Sequence, residues 1–243
     1  MIVLVTDFGT SGPYLGQMKA VLYQKAPTVP VVDLFSDAPA FNPKAAAYLL
    51  AAYVNEFPEN TVFLCVVDPG VGNPQRRPVI VQVDHRWFVG PDNGLFNVVV
   101  MRGKEINWWD ITWQPEQLSS SFHGRDLFAP VAAMLARGEP PPGKVQDVDT
   151  RIIAGWPQDL FQSIYIDHFG NVMTGLRASN LEPGTILEIN GHTLTRAHTF
   201  SDVPKGHAFW YENSNGLVEL AVNQGHAALE LGIRLGDAVQ LKS

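Results

Sequence analysis

Two aspartates stand where a short apolar run meets glycine: Asp7 in Thr6-Asp7-Phe8-Gly9, and Asp68 in Val67-Asp68-Pro69-Gly70-Val71-Gly72. Glycine removes the Cβ that would keep a ligand off the backbone, and Pro69 fixes φ, so a stiff turn presents the Asp68 carboxylate. Taken singly, an Asp-Gly turn is more often structural. Arg76 and Arg77 follow closely, however, and Phe122-His123-Gly124-Arg125-Asp126 adds an imidazole, a guanidinium and a carboxylate ahead of a helical stretch. A carboxylate and an imidazole can accept hydrogen bonds from a water nucleophile, and a nearby guanidinium keeps the carboxylate ionised. Farther along, Asp167-His168-Phe169-Gly170-Asn171 sets an aromatic ring among hydrogen-bonding groups, which suits a purine as well as it suits a β-turn. Asn213-Ser214-Asn215-Gly216 reads as a hairpin turn.

Those residues need elements to carry them. Short β-branched runs alternate with helical patterns in the first half: residues 2–6, a helix near 14–24, residues 29–34, a helix at 43–54, then 61–67. This βαβαβ pattern predicts parallel strands, and both aspartates fall just beyond strand carboxyl ends, where open α/β sheets bind ligands. Asn42 before Pro43 is a helix start. Strands near 78–83, 87–89 and 105–110 extend the sheet, and a helix covers about 127–137. Three prolines in Gly138-Glu139-Pro140-Pro141-Pro142-Gly143 forbid helix and withhold three amide donors, so this stretch reads as the beginning of a connection. Beyond it, short strands at 186–189, 209–211, 217–222 and 239–241, with an Asn190-Gly191 hairpin turn, predict a second, all-β domain. The expected division is an α/β domain at 1–150, a link at 151–159 and a β-barrel domain at 160–243.

Bulk properties narrow the function. The 243 residues carry 24 acidic and 17 basic side chains, a formal charge of −7 that repels a phosphate backbone and an anionic membrane. The longest apolar run is far shorter than the roughly 20 residues of a membrane span, and the N-terminal segment carries Asp7 rather than a basic lead, so a cytoplasmic protein is expected. Cys65 is alone between Leu64 and Val66, a buried strand thiol. No phosphate-loop, dinucleotide or serine-elbow motif occurs, and no two of the seven histidines lie three to five apart.

Five segments, in order, resemble the adenosine-forming S-adenosylmethionine hydrolases, also called S-adenosylmethionine hydroxide adenosyltransferases, relatives of the fluorinase and chlorinase. They are Thr6-Asp7-Phe8-Gly9; the Asp68 turn with Arg76-Arg77; Gly90-Pro91-Asp92-Asn93-Gly94-Leu95; Phe122-His123-Gly124-Arg125-Asp126; and Asp167-His168-Phe169-Gly170-Asn171-Val172. The resemblance implies a Rossmann-like N-terminal α/β domain with a mostly parallel sheet and a smaller C-terminal β-barrel. It also implies a homotrimer with active sites between the N-domain of one subunit and the C-domain of its neighbour. It implies a catalytic set of Asp68, His123 and an arginine, Arg76 by counting back from Pro78, with Arg77 the alternative. By the same resemblance Asp7 holds the ribose hydroxyls, Phe41 and Phe122 lie beside the substrate, Asp167 binds the methionine amine, Phe169 and Asn171 face adenine, and Ser214 contacts the methionine end. Gly12 stands where relatives often carry an aspartate. No cofactor or metal is implied, S-adenosylmethionine being the substrate.

The expected reaction is hydrolysis of S-adenosylmethionine to adenosine and methionine by water attack at the ribose 5′ carbon. The halogenating relatives carry tyrosine at the position of Asp68, and a carboxylate there repels a halide. Two other classes remain open: a nucleoside-binding module that uses Asp7, Phe169 and Asn171 without turnover, and a hydrolase gathering Asp7, Asp68 and His123 around a metal ion.

Overall fold

The computed structural model describes residues 1–242, and the chain divides into two compact units, Met1–Trp156 and Pro157–Ser243. The first unit is built on one seven-stranded sheet. Its strands are β1 (Ile2–Thr6), β2 (Val31–Phe35), β3 (Val62–Val66), β4 (Pro78–Val83), β5 (Arg86–Pro91), β6 (Ile106–Ile111) and β7 (Gly143–Gln146), in the order β2-β1-β3-β5-β4-β6-β7. Every residue of β1 and β3 is buried, as a strand covered on both faces requires. Helices α1 (Tyr14–Lys25), α2 (Pro43–Tyr53), α3 (Asn97–Arg102) and α4 (Ala129–Ala136) belong to this unit. Asn42 caps α2 by accepting from Ala45 N at 3.0 Å, with Pro43 at its first position.

The expected sheet is corrected in one respect. β2, β1, β3 and β5 run parallel, but β4, β6 and β7 add three antiparallel pairings, so the sheet is half parallel rather than mostly so. A tight turn joins β4 to β5 through Asp84 and His85, both at positive φ (46° and 64°), the geometry that lets a two-residue turn match strand twist. Asp84 is held in it by accepting from the backbone N–H groups of Lys104 and Glu105, both at 3.0 Å. The proline segment is also corrected. Instead of leaving the domain after Arg137, the chain returns at Gly143 as edge strand β7, where no central strand has to receive a proline. The stretch from 157 to 159, expected as link, belongs to the second unit.

The second unit has two antiparallel sheets. The larger has the order β12-β13-β9-β8, from β8 (Leu160–Ile166), β9 (Val172–Arg177), β12 (Ala208–Glu212) and β13 (Leu217–Val222). The smaller has the order β11-β10-β14, from β10 (Leu187–Ile189), β11 (His192–Leu194) and β14 (Gln240–Leu241). A short helix, α5 (Ala227–Glu230), follows β13. Asn190 and Gly191 form the β10–β11 turn at φ 50° and 79°, as their dipeptide predicts. Isolated bridges pair Gln162 with Ala238 and Arg196 with Trp210, so hydrogen bonds connect both flanks of the smaller sheet to the larger.

Gly90 lies in β5 where β3 passes closest, and a Cβ there would collide with the Cys65 carbonyl oxygen. Gly90→Ala is therefore expected to cost about 1–3 kcal/mol of stability, the scale of overpacking in a closed core. Denaturant unfolding with an unchanged midpoint would show that β3 and β5 can spread.

Candidate active site

β1 and β3 are adjacent and parallel, with Thr6 opposite Val66, so Asp7 and the Asp68 turn emerge side by side at the same sheet edge. They line a cavity of about 410 Å³ within the first unit, together with Phe41, Phe122 and His123. Asp68 is held tightly. Its side chain is 4% exposed, and its Oδ1 accepts from Gly70 N at 3.2 Å and from Arg76 Nη1. A Cβ at Gly70 would strike the Arg76 guanidinium, so this glycine lets the arginine lie across the turn. Asn93 braces the turn from β5 by donating Nδ2 to the Val67 carbonyl at 2.8 Å.

The geometry separates the two arginines. Arg76 bonds Asp68, whereas Arg77 is more than half exposed and reaches toward Asp110, 3.7 Å away. Asp110 also receives Arg151 at 2.6 Å, and Arg151 bridges to Asp92 at 3.3 Å. This places Arg77 at the margin of a structural network.

His123 begins a turn of π-helix, Gly124–Phe128, that runs directly into α4. Its neighbours lock that turn. Arg125 donates Nε and Nη2 to Asp126 (2.6 and 3.0 Å), gives Nη1 to Gln17 of α1 (2.8 Å), and lies over the Phe122 ring, 5.2 Å from its centre. Asp126 also accepts from Ser119 N at 2.9 Å. The hydrogen bonds from Arg125 hold its carboxyl below the usual range. Arg125 and Asp126 thus position the loop bearing Phe122 and His123. A second cavity of about 370 Å³ is lined by Asp68 and His123 from another side, along with Arg76, Arg77, Asn73 and Gln114.

Asp7 accepts from Phe41 N at 3.0 Å, and Phe41 takes a left-handed conformation, φ 57°, and is 77% exposed. A non-glycine residue is costly in that region, and the hydrogen bond helps hold it there. Burial raises the Asp7 carboxyl above its ordinary value, the Phe41 bond opposes this, and the nearby Asp68 charge adds to the rise.

In the second unit, Asp167, Phe169 and Asn171 line a cavity of about 540 Å³ with Phe200, Tyr211 and Glu219. Asp167 Oδ1 accepts from the backbone N–H groups of Phe169 and Asn171 (2.9 and 2.8 Å), and Oδ2 accepts from Asn171 Nδ2 at 3.1 Å. Phe169 is 73% exposed. Gly170 has φ 87°, and a Cβ there would strike His226. Ser214 lies outside the residues lining this cavity, in the exposed turn between β12 and β13.

Three further residues line these cavities: Phe8 and Tyr14 in the first unit and Glu219 in the second. Phe8 and Tyr14 complete a triangle of rings with Phe122, centres 5.4 to 5.9 Å apart. An aromatic at the start of α1, just after the Asp7 turn, was the available signal for Tyr14. Glu219, a carboxylate inside the apolar run of β13, was visible in the same way. Among the described residues, no three His, Cys, Asp or Glu side chains gather so as to hold a metal ion, and no helix is long and apolar enough to cross a membrane. Cys65 is fully buried, and burial pushes its thiol well up.

Carboxylates at the carboxyl ends of adjacent parallel strands, with an arginine-held aspartate beside a histidine, define an α/β protein with a small-molecule site. The chain belongs to the SAM hydroxide adenosyltransferase family: the profile of the family's N-terminal domain matches residues 2–145 and that of its C-terminal domain matches residues 162–240. An (R)-S-adenosyl-L-methionine hydrolase from Thermus thermophilus is 36% identical over 99% of this chain and 98% of its own length. A fluorinase from Nocardia brasiliensis is more distant, 25% identical over 100% of this chain and 96% of its own. The crystal structure of an uncharacterized conserved protein from Thermotoga maritima superposes with a TM-score of 0.89 at 28% identity, covering all of both chains.

The raised Asp7 carboxyl has a consequence for stability. The folded state holds the Asp7 proton more tightly than the unfolded chain, so this group's contribution falls as pH rises through and above the ordinary carboxylate range. Asp7→Asn keeps an acceptor for Phe41 N and removes the buried charge. Its melting temperature at pH 7 is expected to exceed that of the parent, with the gap closing toward about pH 4. An Asn variant that melts lower at pH 7 would contradict this.

Proposed function

We propose that this protein hydrolyses S-adenosyl-L-methionine, with water attacking the ribose 5′ carbon to release adenosine and methionine. The observation that carries the reading is the Asp68 carboxylate, fixed by Arg76 and Gly70 through Oδ1 and sharing a cavity wall with His123. Both anchoring donors use one oxygen, which leaves Oδ2 to accept a hydrogen bond from the attacking water. The carbon–sulfur bond breaks with its electron pair going to sulfur, so the leaving thioether is neutral and needs no acid. Water forms the new carbon–oxygen bond, and its proton passes to Asp68 or His123 and then to solvent. Holding that water in line supplies much of the rate. Arg76 holds the Asp68 carboxylate in place through a charge-assisted hydrogen bond.

The substrate's other groups have candidate partners. Asp7 accepts hydrogen bonds from the ribose hydroxyls, with Phe41 and Phe122 beside them. Phe169 stacks on adenine and Asn171 hydrogen-bonds its edge. Asp167 takes the methionine ammonium, and Ser214 lies at the methionine end. The first unit is read as Rossmann-like on its four parallel strands, and the second as a barrel, because the bridges at Gln162 and Arg196 complete a ring of strand pairings. A homotrimer is the proposed assembly, checked by light scattering: three chain masses are expected, and a monomer at micromolar concentration would overturn it.

The chemistry is tested with S-adenosylmethionine in ¹⁸O water. Label is expected in the adenosine 5′ hydroxyl, whereas methylthioadenosine, or 5′-chloro-5′-deoxyadenosine when chloride is added, would defeat the reading. Asp68→Asn is expected to lower kcat by roughly 10²–10⁴, the range for loss of a positioned base. Unaltered activity in that variant would point to a site elsewhere, and no turnover by the parent would favour a binding module.

A further inference from the structure

Glu219 is a carboxylate inside Leu217-Val218-Glu219-Leu220-Ala221-Val222, 3% exposed, and no step above uses it. Its two oxygens serve different elements. Tyr211, its cross-strand partner in β12, donates its hydroxyl to Oε1 at 2.6 Å, and Asn213 donates Nδ2 to Oε2 at 2.9 Å. Asn213 is committed on its other side as well. Its Oδ1 accepts from Asn215 N and Leu217 N, both at 3.0 Å. With that oxygen held by two backbone donors, only Nδ2 is left to face the carboxylate, so the amide has one orientation.

The turn between β12 and β13 is therefore tied to Glu219 through the Asn213 side chain. Backbone bonds from Asn213 N to Leu217 O (2.9 Å) and from Gly216 N to Asn213 O (3.0 Å) close it, and Ser214 donates its hydroxyl to Asn215 Oδ1 at 3.0 Å within it. Ser214 has no other side-chain anchor among these bonds. Burying a carboxylate in an apolar strand is costly, and here the cost is offset by hydrogen bonds to one wall residue and one turn residue. Burial raises its pKa, while the Tyr211 and Asn213 bonds pull the other way.

We propose that Glu219 is a positioning residue that fixes the 213–216 turn through Asn213 and so places Ser214 at the methionine end of the substrate. The inference rests on the assignment of Ser214 made under the proposed function. Glu219 need not touch substrate. It acts by holding the Asn213 amide in the one orientation whose Oδ1 caps the turn through Asn215 N and Leu217 N, in addition to the backbone bonds that tie the turn to the sheet.

The test is a pair of substitutions that exchange donor and acceptor. Asn213→Asp retains the oxygen that receives the two backbone N–H groups but sets a second carboxylate against Glu219. KM for S-adenosylmethionine is expected to rise roughly tenfold or more with kcat nearly unchanged, as for a broken charge-assisted hydrogen bond that acts on binding. Adding Glu219→Gln turns an amide donor toward the new carboxylate while its oxygen still accepts from Tyr211. The double variant is expected to recover to within about threefold of the parent, a coupling between contacting residues. Glu219→Gln alone, which can accept from Asn213 and donate to the Tyr211 oxygen, should stay close to the parent.

Binding of 5′-dimethylsulfonio-5′-deoxyadenosine, which lacks the methionine end, supplies the readout that general damage would move. Its Kd is expected to hold in every variant. The proposal is overturned if Asn213→Asp leaves KM unchanged, if the double variant is as impaired as the single, or if the truncated ligand weakens in step with the full one. Ser214→Ala separates the two readings. If it leaves KM unchanged, the Ser214 assignment is wrong; if it raises KM while Asn213→Asp does not, the link to Glu219 is wrong.

Discussion

The ion pair between Arg76 and Asp68 is the contact on which the rest of the first unit's site depends. It spans the turn after β3, requires glycine at 70 beneath the guanidinium, and leaves Asp68 almost entirely enclosed. By holding Oδ1, the pair fixes the carboxylate's orientation and leaves Oδ2 to face water. The neighbouring motifs serve this pair: Asn93 steadies the Val67 carbonyl just before Asp68, and Arg125 with Asp126 steadies the segment bearing His123. These contacts lie outside the cavity lining and act on the segments that carry Asp68 and His123 into it.

Much of this was legible in the residues because the local chemistry agrees with the tertiary result. Continuous burial of β1 and β3, the Asn42-Pro43 helix start and the Asn190-Gly191 turn are each dictated by a few neighbouring residues. The choice between Arg76 and Arg77 was different, since adjacent residues of one type look alike until Asp110 is seen to draw one of them away. α3, whose residues Asn97-Val98-Val99-Val100-Met101-Arg102 are β-branched at the centre, gave no helical signal; its burial decides its form. β7 was hidden behind three prolines, and pairing on a single side with β6 is what admits it. Asp84-His85 lacks the glycine that marks such turns, and its anchor is the remote backbone at Lys104 and Glu105.

The second unit teaches the complementary lesson. Its Asp167 segment looked like a turn and like a binding motif with equal weight, and it is a turn: the carboxylate accepts from Phe169 N and Asn171 N, which raises the Phe169 ring into solvent. Structural and functional readings of such a segment are not rivals when the hydrogen bonds that shape the loop are what expose the ring. Glu219 stood out in the sequence as a carboxylate within an apolar run, but its role did not, since the groups that make a buried carboxylate tolerable come from a neighbouring strand and a turn.

The position of β5 has a bearing on the order in which the protein is made. β5 lies between β3 and β4 in the sheet although it follows both in the chain. The segment from 67 to 77 must consequently pass over the end of a strand not yet synthesised when that segment leaves the ribosome. β4 and β5 can join locally through the Asp84-His85 turn, and their hairpin then docks on β3 along β5. Only that docking brings Asn93 to the Val67 carbonyl. A nascent chain ending before β5 holds the sequence of the acid and its arginine, yet lacks the strand that braces their turn.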